Sequence, residues 1–360
     1  MKAVDTGVAT PGPALAAMMD ACLVCRACED VCPSHVPFGR MMEAAREQVE
    51  PTRSWRARTL RWLAFHWVLP HPTLVRLAAM LQPLARPVLP RRVGMLIPGS
   101  GHPFARLRRS YDPPRGTPLR GTVALLTGCA QDRWYHQVNQ ATVRVLTRTG
   151  WRVEVPRSQG CCGALAAHNG RMAVARRLAR RAAHAFAGAE TVIVNAAGCM
   201  AHMSGLDELE PGTGLPVREL MTFLHEDGVG ETLAGLPPGG PGREDETVAY
   251  HDACHALRVA KVHDAPRALL GAIPGLTVEE VPDGDRCCGA AGIHGVTQPE
   301  ASGALGRDKA QAVGSTGARI VASANPGCSM QLQAWLAAGG HDVAVVHPVE
   351  LVDRAMSTGT

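Results

Sequence analysis

Thiols are the side chains of this sequence best placed to do chemistry, and their spacing says which chemistry. Eight of the twelve cysteines fall on one duplicated frame. In the first copy Cys129 precedes the pair Cys161-Cys162 with 31 residues between, and Cys199 follows with 36 between. In the second copy Cys254 precedes Cys287-Cys288 with 32 between, and Cys328 follows with 39 between. Equivalent cysteines are offset by 125, 126, 126 and 129 residues. That is too long for a solenoid period, so the repeat is a whole small domain keeping four thiols.

Such quartets could be inert core residues, structural disulfides, redox-active dithiols, zinc sites or iron–sulfur ligands. Two matched sets with two adjacent pairs argue against inert cysteine, and nothing in the sequence points to an oxidising compartment. Soft thiolate sites select iron–sulfur clusters or zinc. Redox-active disulfides and zinc stay open, and iron–sulfur ligation is the favoured expectation. Cys129, Cys161, Cys162 and Cys199 should converge on one metal site, and Cys254, Cys287, Cys288 and Cys328 on a second. The duplication suggests that the two sites face each other across a domain interface.

The other four cysteines form the densest motif, Cys22-x2-Cys25-x2-Cys28-x3-Cys32-Pro33. This is the spacing of a bacterial [4Fe–4S] ferredoxin run, in which the fourth cysteine of one run serves a second cluster. Zinc sites usually pair separate Cys-x2-Cys units, so four thiols in one run argue against zinc. Only one run is present. Cys32 therefore closes its own cluster, another group supplies the fourth ligand, or a missing or divergent N-terminus carries the partner run, the last being preferred.

The elements that must position these thiols follow from hydrophobic patterning. Residues 122–126 lead into Cys129, residues 247–251 into Cys254, 191–195 into Cys199 and 319–323 into Cys328; all read as short buried strands. Helical patterns follow at residues 171–188 and 299–314. Alternating strands and helices imply parallel sheets, whose ligands gather at the carboxyl ends of the strands. The expected fold is α/β: an N-terminal helical ferredoxin-like domain, then two duplicated α/β cysteine-rich domains with parallel sheets. The expected divisions are residues 1–50 for the [4Fe–4S] domain, 51–120 for a helical segment and linker, 121–230 for the first cysteine-rich domain, 231–246 for a linker and 247–360 for the second. The glycine after each cysteine pair is expected to let a bulky ligand approach the backbone.

Residues 51–96 place Leu60, Trp62, Leu63, Phe65, Trp67 and Leu69 beside Arg53, Arg56, Arg58 and Arg61. This reads as helices packing beneath the cluster domain, with a basic amphipathic surface for a membrane or partner as the alternative. Prolines at 70, 72, 83, 87 and 90 interrupt it too often for a transmembrane span. The formal charge is +5 and no basic run is interleaved with aromatics, so nucleic acid is not expected as a partner. The first twenty residues lack a secretory pattern, so the expected location is cytoplasmic, with a peripheral position on the inner membrane face as the alternative. His251, His255 and His347 could ligate metal or shuttle protons, but each alone reads as a hydrogen-bonded structural residue. No dinucleotide fingerprint, phosphate loop, nucleophile elbow or haem-attachment motif is present. No catalytic residue is assigned.

Several stretches carry a resemblance: residues 251–255 (His-Asp-Ala-Cys-His), 272–276, 285–293 around Cys287-Cys288-Gly289, 325–328 and 346–351. Together they resemble the iron–sulfur subunit family of glycolate oxidase (glycolate dehydrogenase). The duplicated Cys-Cys-Gly domain is similar more broadly to the cysteine-rich subunit of heterodisulfide reductase, to lactate-utilisation proteins and to the iron–sulfur subunit of anaerobic glycerol-3-phosphate dehydrogenase. The resemblance implies an electron-transfer subunit with a [4Fe–4S] cluster at the N-terminal run. It also implies an FAD-binding partner subunit that oxidises glycolate to glyoxylate, and a quinone or other acceptor. Further Fe–S clusters or zinc are expected in the repeats. The alternatives are a heterodisulfide-, lactate- or glycerol-3-phosphate-type oxidoreductase and a zinc-bound, non-catalytic scaffold. Two departures stand out: a single ferredoxin run, and Cys199-Met200-Ala201-His202 and Cys328-Ser329-Met330-Gln331 where the heterodisulfide type ends each set in Cys-x2-Cys.

Overall fold

Two parallel sheets with the same strand order account for most of the chain. The computed structural model describes residue 4 and residues 6–8, 10–88, 94–97, 105–237 and 246–357. The first sheet holds β1 (Ser110–Tyr111), β2 (Gly121–Leu126), β3 (Trp151–Glu154), β4 (Val192–Val194) and β5 (Val217–Glu219), in the order β1-β3-β2-β4-β5. The second holds β6 (Glu246–His251), β7 (Leu276–Glu280), β8 (Ile320–Ser323) and β9 (Ala344–Val346), in the order β7-β6-β8-β9. Without β1, the one antiparallel strand, the two orders coincide. The duplication seen in the cysteines is thus a duplication of topology.

The central strands read as apolar runs because helices cover both faces. Val123, Leu125, Val192, Ile193, Val248 and Val321 are all fully buried or nearly so. The covering helices bury one stripe and expose arginine on the other. In the helix Met172–Ala185, Met172, Ala175, Leu178, Ala179 and Ala182 point inward at helical spacing.

The domains are joined by packing. One apolar cluster runs through both, from Val123 and Leu224 in the first to Val248, Leu269 and Val352 in the second. The helix His136–Arg148 of the first domain lies on Pro348–Ser357 of the second, and Leu220–Glu226 lies on Asp264–Gly271. These are reciprocal contacts: a helix between the first two parallel strands of each domain meets the helix after the other domain's last strand. Around the first contact Arg144 and Arg148 both pair with Asp353.

The N-terminal region is helical. It comprises α1 (Pro13–Ala21), α2 (Ala27–Asp30), α3 (Phe38–Val49), α4 (Trp55–Trp62), a π-helical stretch Leu63–Val68, and α5 (Pro72–Ala85). Glu50 ties it to the first domain, pairing with Arg53, Arg61 and Arg171. The segment read as packing helices does so along one face only. Phe65 is buried against Cys161 and Ala166, while Trp55, Leu60, Trp62, Trp67, Leu81 and Leu84 are exposed.

Two stretches read as linkers contribute structure. The later part of residues 51–120 includes β1 and the buried Leu107, and Leu233, inside the 231–246 stretch, is buried in the shared core as part of the helix Val229–Ala234. The remainder of that second stretch, residues 238–245, lies outside the described residues.

Candidate metal centres

Leaving aside the antiparallel β1, the first cysteine of each quartet follows the first parallel strand of its sheet, and the last follows the third. Chain direction reverses between these strands: from β2 the chain crosses to β3 on one side and then to β4 on the other. Such a switch point opens a crevice at the carboxyl edge. Cys129 caps a helix just beyond β2, and Cys199 lies in the helix Ala197–Met203 beyond β4. Cys254 and Cys328 occupy the same stations after β6 and β8. The pairs come from longer excursions: Cys161 follows the end of β3 by seven residues, and Cys287 follows the end of β7 by seven.

Each excursion is braced back onto its sheet, by different residues. In the first domain Gln159, buried, accepts the Thr127 N–H (2.9 Å) and donates from Nε2 to the Leu125 carbonyl (3.0 Å). In the second, the buried Lys309 ammonium donates to the carbonyls of Asp283 (2.7 Å) and Gly284 (3.3 Å). The result in the first domain is Cys129 Sγ at 3.6 Å from Cys161 Sγ, and Cys162 Sγ at 3.1 Å from Cys199 Sγ. In the second domain the Asn325 amide donates to Cys328 Sγ (3.3 Å), and Cys288 and Cys328 approach His251 with ligand atoms within 4.8 Å of one another.

The electrostatics of the two quartets differ. The Cys161 thiol beside it, and then burial, push Cys129 well up. In the second domain the Cys254 and Cys288 thiols hold Cys287 well down, while Cys254 itself is pushed up by Cys287 and by burial. Cys328 is lowered to about 5, first by Cys288 and further by the His251 ring.

The glycine after each pair is demanded by backbone conformation and by packing. Gly163 (φ +100°) and Gly289 (φ +84°) sit in the left-handed region. A Cβ on Gly289 would lie 2.7 Å from the Ser302 carbonyl, and one on Gly163 3.0 Å from His202 Nε2. They are required by close packing of the turn against its own domain.

All eight thiols line a single cavity of about 210 Å³ between the domains, together with Val24, His168 and His255. The domains meet beside it, where the Ala197 N–H donates to the Ala324 carbonyl (2.9 Å) and the Gly198 N–H to Asn325 Oδ1 (3.2 Å).

The N-terminal cysteine run lies over this cavity. Its loop contains Val24 and Arg26, both at positive φ (52° and 61°). The Val24 carbonyl accepts from His255 Nε2 (2.9 Å), and Lys261 pairs with Asp30 (2.6 Å), fastening the run to the second domain. The buried Arg46 guanidinium donates to the carbonyls of Met19 (2.8 Å), at the end of α1, and Cys22 (2.6 Å), and also to that of His168 of the first domain. A cation at a helix C-terminus is well placed. Burial and then the nearby Cys22 and Cys25 raise Cys28. Cys32 is held low by the backbone N–H groups of Val36 and Ser34 instead. Cys22, Cys25 and Cys28 thus share one field, and Cys32 sits in its own turn.

Comparison with known proteins fits this geometry. The family described as Cysteine-rich domain matches twice, over residues 123–204 and 248–333. The Probable glycolate oxidase iron-sulfur subunit of Bacillus subtilis (strain 168) is 31% identical over 99% of this chain and 86% of its own length. The chain belongs to the glycolate oxidase iron–sulfur subunit family. The Escherichia coli (strain K12) Glycolate oxidase iron-sulfur subunit is also 31% identical, over 94% of this chain and 82% of its own. Lactate utilization protein A of Oceanobacillus iheyensis is 30% identical over 66% of this chain and 98% of its own. Within this glycolate oxidase iron–sulfur family, thiolate donors in two cavity-lining sets and a cysteine run fit Fe–S clusters.

Sequence reasoning treated the three histidines alike, and the structure separates them. His347 is fixed by two bonds, Nε2 donating to the Asn195 carbonyl (3.0 Å) and Nδ1 accepting the Val349 N–H (3.1 Å). His255 positions Val24. His251 has no nitrogen or oxygen partner at either ring nitrogen. Gln159, Lys309 and Arg46 were missed, since nothing in their local sequence marks them as braces.

Proposed function

We propose that the chain is the electron-transfer subunit of a 2-hydroxy-acid dehydrogenase complex, with glycolate as the substrate of a flavoprotein partner that yields glyoxylate. The observation that carries this reading is the convergence of all eight repeat thiols on one cavity beneath the N-terminal cysteine run. Bound clusters supply one-electron redox chemistry; the protein sets their distance and environment. Cys22, Cys25 and Cys28 hold a [4Fe–4S] cluster, with Cys32 as its fourth ligand or that of a second cluster. Cys129, Cys161, Cys162 and Cys199 hold one further centre, and Cys254, Cys287, Cys288 and Cys328 another. The run is fastened to the second domain by the His255–Val24 bond and the Lys261–Asp30 pair, so a cluster held there would lie beside the second set of thiols. Lactate is the alternative substrate of the partner, on the strength of the lactate-utilization relatives.

The acceptor is a quinone or a comparable carrier. No helix among the described residues is long and apolar enough to cross a membrane. The exposed Trp55, Trp62 and Trp67, with the exposed Arg56 and Arg58, form a face suited to the anionic inner surface of a membrane. A cytoplasmic protein resting on that surface fits this reading.

Anaerobic purification with iron, sulfide and zinc counted per chain, followed by electron paramagnetic resonance of the reduced protein, tests the proposal. Iron and sulfide in all three cysteine sets are expected. Stoichiometric zinc without sulfide in the quartets would leave a scaffold and sink the electron-transfer reading. Cys25→Ser should remove the iron of the N-terminal run and abolish reduction by the flavoprotein.

A further inference from the structure

The two repeats differ three residues before their first cysteine, where the first has Leu126 and the second His251. Leu126 is filler, packed with Cys162, Phe186 and Met203. His251 ends β6, is 1% exposed, and has no nitrogen or oxygen partner at either ring nitrogen, the Cys328 sulfur being the group its ring acts on. Its rung partner on β8, Ser323, also has an unpartnered hydroxyl, so neither satisfies the other. An unsatisfied buried polar group costs about 1–3 kcal/mol, and native structures rarely keep one without a ligand or a role.

What His251 does face is sulfur. One ligand atom each from His251, Cys288 and Cys328 lie within 4.8 Å of one another, and all three residues are buried. No other group of three metal-ligating side chains among the described residues converges this closely. An imidazole nitrogen is a good ligand for iron and zinc, and thiolates select the same metals.

We propose that His251 is a nitrogen ligand of the second centre, joining Cys288 and Cys328 in a mixed thiolate–imidazole metal site that Leu126 denies to the first. The inference rests on the second quartet holding a metal, as in the function proposed above. A neutral imidazole at this position adds no charge, whereas a thiolate in the same place would make the centre more negative. Replacement of cysteine by histidine raises the potential of two-iron centres for this reason. Exchange of His251 for a thiolate would therefore lower the potential of the second centre.

The test uses the full chain purified anaerobically with its own metal and with histidine labelled with 15N, beside His251→Leu, His251→Cys and Cys288→Ser. Metal lost in Cys288→Ser identifies the metal of the second quartet. Pulsed electron paramagnetic resonance of the reduced protein should show a strong nitrogen coupling that shifts with the isotope and is absent from His251→Leu and His251→Cys. His251→Cys should keep its iron and reduce at a lower potential. Iron in the second quartet without that coupling, or a coupling that persists in His251→Leu, overturns the proposal and leaves the electron-transfer reading intact. Zinc there defeats the electron-transfer reading, while X-ray absorption at the zinc edge still decides the nitrogen ligand. No metal there overturns both.

Discussion

The first and second cysteine-rich domains keep the same strand order and the same cysteine stations, yet almost nothing around the thiols is shared. A neutral amide, Gln159, braces the first Cys-Cys turn, and a buried cation, Lys309, braces the second. Leu126 stands where His251 stands. Cys129, Cys161 and Cys162 are all pushed up in the first set, while in the second Cys254 and Cys288 are pushed up and Cys287 and Cys328 held down. Duplication fixed where sulfur must be, because strand ends and helix starts dictate it. It left the surroundings free to diverge, and surroundings set potential and pKa.

The largest effect expected from breaking this comparison comes from the thiols. Cys162→Ser and Cys288→Ser should each strip metal from one domain alone, with electron transfer to the acceptor falling at least about a hundredfold. Loss of both centres in either variant would show that they are one site. Next comes the shared core. Leu224→Ala should lower stability by about 2–5 kcal/mol, and denaturant unfolding should remain one transition. Two separated transitions would show that the domains fold independently.

His347 gives a pH test. Burial lowers its pKa to about 4 from 6.5, so the unfolded chain takes up the proton first. The stability contributed is full above about pH 6.5 and is lost as pH falls towards 4, by about 3 kcal/mol. Urea unfolding at pH 7 and 4.5 should show a smaller fall in His347→Gln than in the native protein; equal falls would refute the assignment. The smallest effect is at the braces. Lys309→Met leaves two carbonyls without their donor, costing about 1–3 kcal/mol, and should loosen metal retention in the second domain only. Gln159→Leu should do the same in the first.

The architecture was legible from sequence where chemistry is local. The strands predicted at 122–126, 191–195, 247–251 and 319–323 appear as β2, β4, β6 and β8 within a residue at each end, because runs of Val, Ile, Leu and Ala covered on both faces leave an unbroken apolar signature. The helix α3 carries the same kind of local signal, burying Met42, Ala45 and Val49 at helical spacing while Met41 faces out. β1 was not visible, since a two-residue antiparallel edge strand has no periodicity to read. The different fates of His251, His255 and His347 were equally hidden. Each depends on which distant group fills the adjoining space: two thiols for the first, the Val24 carbonyl for the second, the Asn195 carbonyl for the third.

The reciprocal helix contacts that join the repeats make the chain an internal dimer, each half presenting to the other the surface it receives. The peptide connection between the helix Val229–Ala234 and β6 then supplies proximity and no specificity. Cutting the chain between the repeats should leave two fragments that reassociate in the native register, since Val123, Leu224, Leu269 and Val352 carry the recognition. The separation between the two sets of thiols is for the same reason a property of side-chain packing, as invariant as the core itself.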